Sequence, residues 1–373
     1  MKKLKELIVL YPSFDRGGAT ANLLNFMNEC DKRNIRINFI SDIDKNEKKK
    51  FLRKNIKVFQ LNIKYNFKIF QRFFTSINSI FKFLFFFKKI KSNNSLVVSF
   101  QSHILPILFC KIFGRKIIIR NSEDIIGATK YADFKLSAYI IFILKVLFYN
   151  FSDGIITNSK RSKKSLDKIT FKNKSKLIYN PYLKKINIEK KISRQNIILS
   201  VGRFCKQKNQ TVAIKAFANF LKKFPNYKLV IIGDGKDKIK LKNICIDLKI
   251  NNKVKFEGWV SNPSKYYLRS KILLFPSLYE GLPNTLIDAV NFNLPCISSN
   301  CSGAKDILLK DSRIFSPSNN HEILSKKIEL MILEYKKILN QNKILKKNLS
   351  KFLITNQVTK YINYCNFVIN RSI

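Results

Sequence analysis

Short apolar runs alternate with amphipathic stretches along most of the chain. Residues 7–10 (LIVL) form a continuous apolar run. Gly17-Gly18 follow, and then Leu23, Leu24 and Met27 recur at helical spacing within residues 20–30. Residues 37–40, 96–100 (LVVSF), 116–120 (KIIIR) and 153–157 (DGIIT) read as further strands, with a helix between the two central ones. Strands that are apolar at consecutive positions suit a parallel sheet covered on both faces. After Tyr179-Asn180-Pro181 the pattern breaks into a polar, charged stretch at 182–195. It restarts with strands at 197–201, 228–232, 254–256, 272–275 and 296–299, and with a helix at 210–223. From His321 onward the chain reads as helical and rich in Lys. Two βαβ blocks on either side of a linker predict an α/β protein of two doubly wound domains facing a central cleft. The expected boundaries are 1–181 for the first domain, 182–195 for the linker and 196–350 for the second domain. Residues 351–373 are expected to form a terminal helix that packs back on the first domain.

The length of 373 residues suits two domains, and 46% hydrophobic residues supply a core to each. The charge is extreme, with 71 Lys+Arg against 24 Asp+Glu and a formal net charge of +47. Nucleic acid, an anionic membrane surface or acidic small molecules would each match it. An AT-rich coding bias would also produce it, since the Lys excess accompanies abundant Asn, Ile and Phe. The seven cysteines include no CxxC, and the Cys296/Cys301 spacing does not fit a zinc knuckle. They are expected to be buried small hydrophobes in a reducing cytoplasm. The first residues resemble a signal peptide only superficially, because Glu6 interrupts and Pro12 ends the apolar run. A first strand is the expected reading. Residues 81–87 (FKFLFFF) and 134–151 raise the membrane question. Lys135 and Lys145 interrupt the second, which argues against a spanning helix. A buried helix is expected for both, with interfacial docking as the alternative. Asp42-Ile43-Asp44 has the form of a metal-binding DxD but leads into a charged, solvated turn, so no metal is expected there.

The segment richest in chemistry is FPSLYEGLPNTLIDA, Phe275 to Ala289. A strand is expected to end at Pro276, and a loop then carries Glu280 and Gly281. A helix should begin near Pro283, since proline is favoured at the first helical position. Such a helix start offers backbone N–H groups and a positive dipole end to an anion such as a diphosphate. Glu280 before the helix and Asp288 within it suit hydroxyl recognition, one on a sugar and one on a ribose. A capped helix with solvated acids would carry the same residues, so local physics leaves both readings open. Arg203 and Lys208 lie on the loop after the 197–201 strand, which ends at Gly202. A planar guanidinium fork and a mobile point charge both suit diphosphate oxygens. Ordinary surface charge is the alternative in so basic a chain. Gly233-Asp234-Gly235 is a glycine turn after a strand, without the third glycine of a dinucleotide fingerprint. Gly17 and Gly18 let the backbone approach a phosphate or an acceptor closely. His103 follows a strand; structural and cleft roles both fit it. Trp259 is expected in the core, and His321 is expected to have no catalytic role.

These segments resemble family 4 glycosyltransferases. Glu280 to Asp288 is similar to their E-x7-E region. Gly202-Arg203 with Lys208-Asn209 is similar to their G-R…K-N element, and the stretch from Asn293 to Asp306 to the continuation that follows. The resemblance implies a GT-B fold of two Rossmann-like domains and a reaction that retains anomeric configuration. It implies that Glu280 contacts the transferred sugar and that Arg203 and Lys208 hold the donor diphosphate. Gly281, Leu282, Pro283, Asn284, Thr285 and Leu286 would face sugar and phosphates, and Asp288 would bind the ribose. Gly202 and Gly233 would line the donor site, and Gly17 and Gly18 would face donor phosphate and acceptor. Asp288 departs from the expected Glu by one methylene, Asn293 replaces a Gly and Asp306 a Glu. Relatives carry a sugar-contacting histidine near the strand end occupied here by Arg120 and Asn121. With His103, these two are the acceptor-side candidates.

The reading that follows is a retaining glycosyltransferase. It would move a hexose or N-acetylhexosamine from a UDP- or GDP-sugar to a glycan or lipid-linked glycan in cell-surface polysaccharide or lipopolysaccharide biosynthesis. No cofactor or obligatory metal is expected. The enzyme would be cytoplasmic and peripheral on the anionic inner face of the cytoplasmic membrane. A GT-B nucleotide-sugar epimerase is the alternative and would need no acceptor. A basic nucleic-acid-binding protein is the other, supported by charge but by no aromatic-basic RNA motif or helix-turn-helix signature. No nucleic-acid partner is expected, and no Gly-x-Ser-x-Gly elbow points to a hydrolase.

Overall fold

Runs of Ile, Val and Leu with no polar face can be satisfied only where helices cover both sides of a sheet. The computed structural model describes residues 3–14, 17–43, 53–61, 85–86, 95–171, 174–187, 193–309, 315–316 and 319–371. The chain divides into two units. Unit 1 is Met1–Ile125, Ala132–Tyr182 and Phe352–Ile373, and unit 2 is Ile126–Tyr131 and Leu183–Lys351.

In unit 1 the order is β1 (Glu6–Ser13), α1 (Gly18–Lys32), β2 (Arg36–Asp42), β3 (Ile56–Gln60), β4 (Leu96–Ser99), α2 (Ile104–Ile112) and β5 (Ile117–Asn121). A short helix, α3 (Ile125–Lys130), whose residues from Ile126 onward belong to unit 2, precedes α4 (Lys135–Tyr149), β6 (Gly154–Thr157), α5 (Lys160–Asp167) and β7 (Ser175–Leu177) of unit 1. The seven strands pair in the order β3-β2-β1-β4-β5-β6-β7, all parallel. Alternate residues of β1 divide between two cores. Leu7 and Val9 pack with Leu23, Phe26 and Met27 of α1, whereas Ile8 and Leu10 pack with Ile107 and Cys110 of α2. The expectation that 134–151 is a buried helix is corrected. The helix forms, but Tyr149 is its one buried residue, and much of its apolar surface faces outward. Of residues 81–87 only Phe85 and Phe86 lie within the described residues.

In unit 2 the order is β8 (Ile197–Val201), α6 (Gln210–Leu221), β9 (Lys228–Ile232), α7 (Lys238–Asp247), β10 (Val254–Gly258), α8 (Ser264–Arg269), β11 (Ile272–Phe275) and α9 (Asn284–Asn291). It continues with β12 (Cys296–Ser299), α10 (Ala304–Leu308), β13 (Phe315–Ser316), α11 (His321–Leu333) and α12 (Tyr335–Lys347). The six strands run parallel in the order β10-β9-β8-β11-β12-β13. Ile198, Leu229, Ile231 and Leu274 form a core with Phe217 and Phe220 of α6 and Ile328 of α11. The strand order reverses between β8 and β11. In open α/β sheets ligands bind beyond the carboxyl ends of strands at such a switch point. Here those ends are Gly202 and Pro276. Arg194 ties two helix ends together. It donates to the carbonyls of Tyr267, Leu268 and Ser270 around the end of α8, and of Phe292 and Asn293 after α9. Burial lowers its pKa from the usual guanidinium value.

The last helix, α13 (Ile354–Asn370), belongs to unit 1. Val358, Tyr361, Cys365 and Val368 repeat at helical spacing and are buried in the same core as α1. Arg33, at the end of α1, donates to Thr359 Oγ1 at 2.8 Å and to the Thr355 carbonyl at 3.1 Å. All seven cysteines are free, and all but Cys205 are buried. Among the described residues no helix is long and apolar enough to cross a membrane.

Candidate functional site

The switch point of unit 2 brings together the loop after β8 and the loop after β11. Gln207 laces them: its side-chain amide donates to the Tyr279 carbonyl at 3.0 Å, and its own carbonyl accepts from Leu278 N at 2.8 Å. Asn209 donates to the Pro276 carbonyl at 3.4 Å and adopts a left-handed conformation, φ 53°, which Asn tolerates well. Gln210, the first residue of α6, reaches back to the carbonyls of Gly202 and Arg203 at 3.2 and 2.8 Å. The first loop is therefore pinned at both ends.

This lacing sets Lys208 against Glu280. Nζ lies 2.5 Å from Oε1, and the two side chains are 15% and 11% exposed. The Lys208 ammonium also sits 5.2 Å from the centroid of the Phe275 ring. Arg203 is exposed and donates to Gln207 Oε1 at 3.3 Å. The site thus holds one shielded ion pair, and Arg203 faces solvent on the same loop. Such a set can neutralise an anion and accept hydrogen bonds from hydroxyls.

The glycines fit close backbone approaches. A Cβ on Gly233, at φ +146°, would lie 1.9 Å from the Gly202 carbonyl oxygen, so the turn after β9 packs directly under the β8 loop. A Cβ on Gly303 would lie 2.2 Å from the Gly281 carbonyl oxygen and 2.7 Å from Leu282 Cα. Gly303 therefore supports the Glu280 loop from behind. Gly202 is packed against the Lys208 side chain itself.

Pro283 departs from its expected place. It is the N-cap residue, with φ −79° and ψ 103°, and α9 begins at Asn284. An extended ψ keeps proline out of the helix while its carbonyl accepts from Leu286 N at 3.1 Å. Leu282 and Leu286 are buried, so what they can offer a ligand is backbone; Asn284, Thr285 and Asp288 are half-buried.

The unit 1 candidates have different surroundings. Gly17 caps α1 in extended backbone, and a Cβ there would meet nothing within 4 Å. Gly17 and Gly18 are both exposed. Arg120 is 1% exposed. It donates to Tyr361 Oη at 2.8 Å, to Asn180 Oδ1 at 2.6 Å and to Ser122 Oγ at 2.5 Å, and lies 5.2 Å from the Phe100 ring centroid. These contacts join β5 to α13. Asn121 is buried and donates to the Glu123 carbonyl at 2.6 Å. His103 Nδ1 is 2.9 Å from Ser99 Oγ, and its ring meets Tyr149 edge-on. Burial, aided by the Lys145 and Arg120 charges, lowers its pKa to about 3 and keeps the imidazole neutral.

Trp259 also differs from its expectation. It is 57% exposed, just beyond β10, after Gly258 turns with φ +68°. Asp42 closes β2, whereas Asp44 lies outside the described residues. Among the described residues no group of three His, Cys, Asp or Glu side chains is gathered as metal ligands. Sequence reasoning passed over Gln207, Gly303 and Arg194. Their partners lie about 20 to 100 positions away, and no local signal marks them.

Residues 183–351 match the family Glycosyl transferases group 1. An uncharacterized glycosyltransferase of Methanocaldococcus jannaschii is 35% identical over 193 residues, 48% of each chain. An N-acetyl-D-galactosaminyltransferase of Campylobacter jejuni, whose name specifies a GalNAc-containing glycan on PP-undecaprenol, is 33% identical over 195 residues, 51% of this chain and 53% of that one. The chain spans about half the length of these curated relatives. Anabaena HepE, solved with UDP and glucose, superposes with a TM-score of 0.77 at 15% identity, over 97% of this chain and 100% of that one. That likeness shows the fold. The family 4 expectation is corrected, because the matching family is group 1. The protein has the GT-B fold of two Rossmann-like units, and its residues 183–351 match the family Glycosyl transferases group 1.

Proposed function

We propose that this protein is a glycosyltransferase that moves a hexose or N-acetylhexosamine from a UDP- or GDP-sugar to a glycan or lipid-linked glycan, with retention at the anomeric carbon. The observation that carries the reading is the shielded Lys208–Glu280 pair, held by two laced loops at the switch point of the matched module. In this reaction the bond between the anomeric carbon and the donor phosphate oxygen breaks. A bond from the acceptor hydroxyl oxygen forms on the same face, and the acceptor proton passes to the leaving phosphate. Arg203 and Lys208 stabilise the charge that develops on the diphosphate. Preorganised groups of this kind contribute about 10²–10³ in rate each. Glu280 accepts from the hydroxyls of the transferred sugar, and Asp288 from the ribose. The N–H groups at the start of α9 and the backbone of Gly281 to Leu286 line the phosphate path. Gly202 and Gly233 keep that path open, while Gly17 and Gly18 serve donor phosphate and acceptor in unit 1. A lipid-linked acceptor in cell-surface polysaccharide assembly would place the enzyme at the anionic inner face of the cytoplasmic membrane.

The test is a thermal-shift panel of UDP, GDP, ADP and their sugars on wild type, Arg203→Ala and Glu280→Ala. One nucleoside diphosphate is expected to raise the wild-type melting temperature, and Arg203→Ala to weaken that response. Glu280→Ala is expected to keep the response and lose turnover. If no nucleotide stabilises the wild type, the proposal fails.

A further inference from the structure

Helix α4 presents an apolar face to solvent. Leu136, Tyr139, Ile143 and Leu147 recur at intervals of three and four residues, which places them along one side of the helix. A helix packed in a soluble domain carries polar residues on that side. Here Leu136 is 76% exposed, and Ile143 and Leu147 are each 55% exposed. Phe134 and Phe151 extend the stripe just beyond the two ends of the helix, and both are exposed. The patch continues onto neighbouring chain. Asn150 accepts from Phe171 N at 2.6 Å and donates to the Ile169 carbonyl, bringing Phe171, 74% exposed, beside the end of α4. Helix α2, which packs on α4, adds an exposed Ile112.

Cations surround this face. Lys135 opens α4 and is exposed, Lys111, paired with Asp153, is exposed on α2, and Lys168 is exposed just before Phe171. The one cation on the inward side of α4, Lys145, is paired with Glu123. An apolar stripe bordered by Lys and Arg is the pattern of a helix that lies in the plane of an anionic bilayer, its rings and aliphatic chains in the acyl boundary and its cations among the headgroups. The net charge of +47 has the matching sign. A contiguous apolar patch of this extent marks an interaction site on a soluble domain.

We infer that the outward face of α4, with Phe171 and Ile112, docks unit 1 on an anionic lipid surface. The inference deepens the proposed function by naming the surface partner and leans on that reading for its purpose. Its test needs no turnover, so the two fail separately.

Wild-type protein is mixed with vesicles of phosphatidylglycerol and phosphatidylcholine, and with vesicles of phosphatidylcholine alone, and bound protein is measured by sedimentation. Binding to the anionic vesicles is expected, more than ten-fold tighter than to the neutral ones. Ile143→Glu/Leu147→Glu is expected to lower it at least ten-fold while leaving the melting temperature unchanged, since both side chains are already largely in water. In Trp259→Phe/Tyr139→Trp, the new indole emission should shift to the blue on anionic vesicles and be quenched by brominated lipid. Three results would overturn the inference: no wild-type binding to anionic vesicles, full binding by the double Glu variant, or no spectral response from position 139. A wild-type dimer that the double Glu variant dissolves, with vesicle binding intact, would assign the face to a second copy of the chain instead.

Discussion

Lys208→Met removes the ammonium from Glu280 and keeps an unbranched side chain over Phe275. The carboxylate it leaves behind is 11% exposed and loses a partner at 2.5 Å. Breaking one side of a shielded pair costs about 3–5 kcal/mol, because a charge is left with neither water nor counterion. The ammonium–ring contact adds about 0.5–1 kcal/mol to the loss. In a unit of this size 1 kcal/mol moves the melting temperature by about 2–4 °C, so unit 2 should melt roughly 7–24 °C lower. Glu280→Gln alone should cost less, since the Lys208 ammonium it leaves keeps the Phe275 ring and can still donate to the amide oxygen. In the double variant Lys208→Met/Glu280→Gln no charge remains uncompensated, and most of the single-variant loss should be recovered. Urea unfolding of the four proteins, followed by a probe in unit 2, gives the coupling energy directly. A coupling of about 2 kcal/mol or more is expected. If the single costs add within about 0.5 kcal/mol, the two side chains are energetically independent and the argument from the pair fails.

Three further outcomes follow from other contacts. The His103 pKa, about 3 in the folded protein against 6.5 in the unfolded chain, means that the unfolded state binds the extra proton first. The stability of unit 1 is therefore full above pH 6.5 and should fall between pH 6.5 and 3 by up to about 1.4 kcal/mol per pH unit; His103→Asn should flatten that slope in urea titrations. Gly303→Ala forces a methyl onto the Gly281 carbonyl and Leu282 Cα, so it should cost about 1–3 kcal/mol by urea unfolding and lower turnover by displacing the Glu280 loop. Arg194→Met withdraws the donors from the ends of α8 and α9 and should destabilise unit 2 by about 2–4 kcal/mol, with Arg194→Lys recovering part of that.

The strands with consecutive Ile, Val and Leu were legible in the sequence because double-sided burial leaves them without a polar face. β8, β11 and β12 fall on the expected residues, as does β9. The strands that were missed lie toward the sheet margins. β3 is half-exposed over most of its length, β7 is three residues long and β13 is two. None carries enough hydrophobic signal to stand out from a loop. The apolar run at 134–151 misled because hydropathy gives the helix but not the direction its face turns. At the site, residue type was readable but partnership was not. Lys208 and Glu280 are 72 positions apart, and only the meeting of the β8 and β11 loops reveals them as a pair. Arg120 looked like a strand-end ligand residue. Its partners Tyr361 and Asn180, at separations of 241 and 60, give it a structural task instead. The Glu-Gly-Leu-Pro-Asn segment led to the right fold but to a different family from the one that residues 183–351 match.

The central claim is that the Arg203, Lys208 and Glu280 loops activate a nucleotide-diphospho-sugar for transfer. The most direct measurement is release of nucleoside diphosphate from UDP- and GDP-sugars, with and without a glycan acceptor, by wild type and Glu280→Gln. The account predicts acceptor-dependent release by the wild type. In Glu280→Gln it predicts a fall of about 10²-fold or more, with binding of the bare nucleoside diphosphate retained. Equal turnover by Glu280→Gln, or conversion of the sugar in the absence of any acceptor, would contradict it.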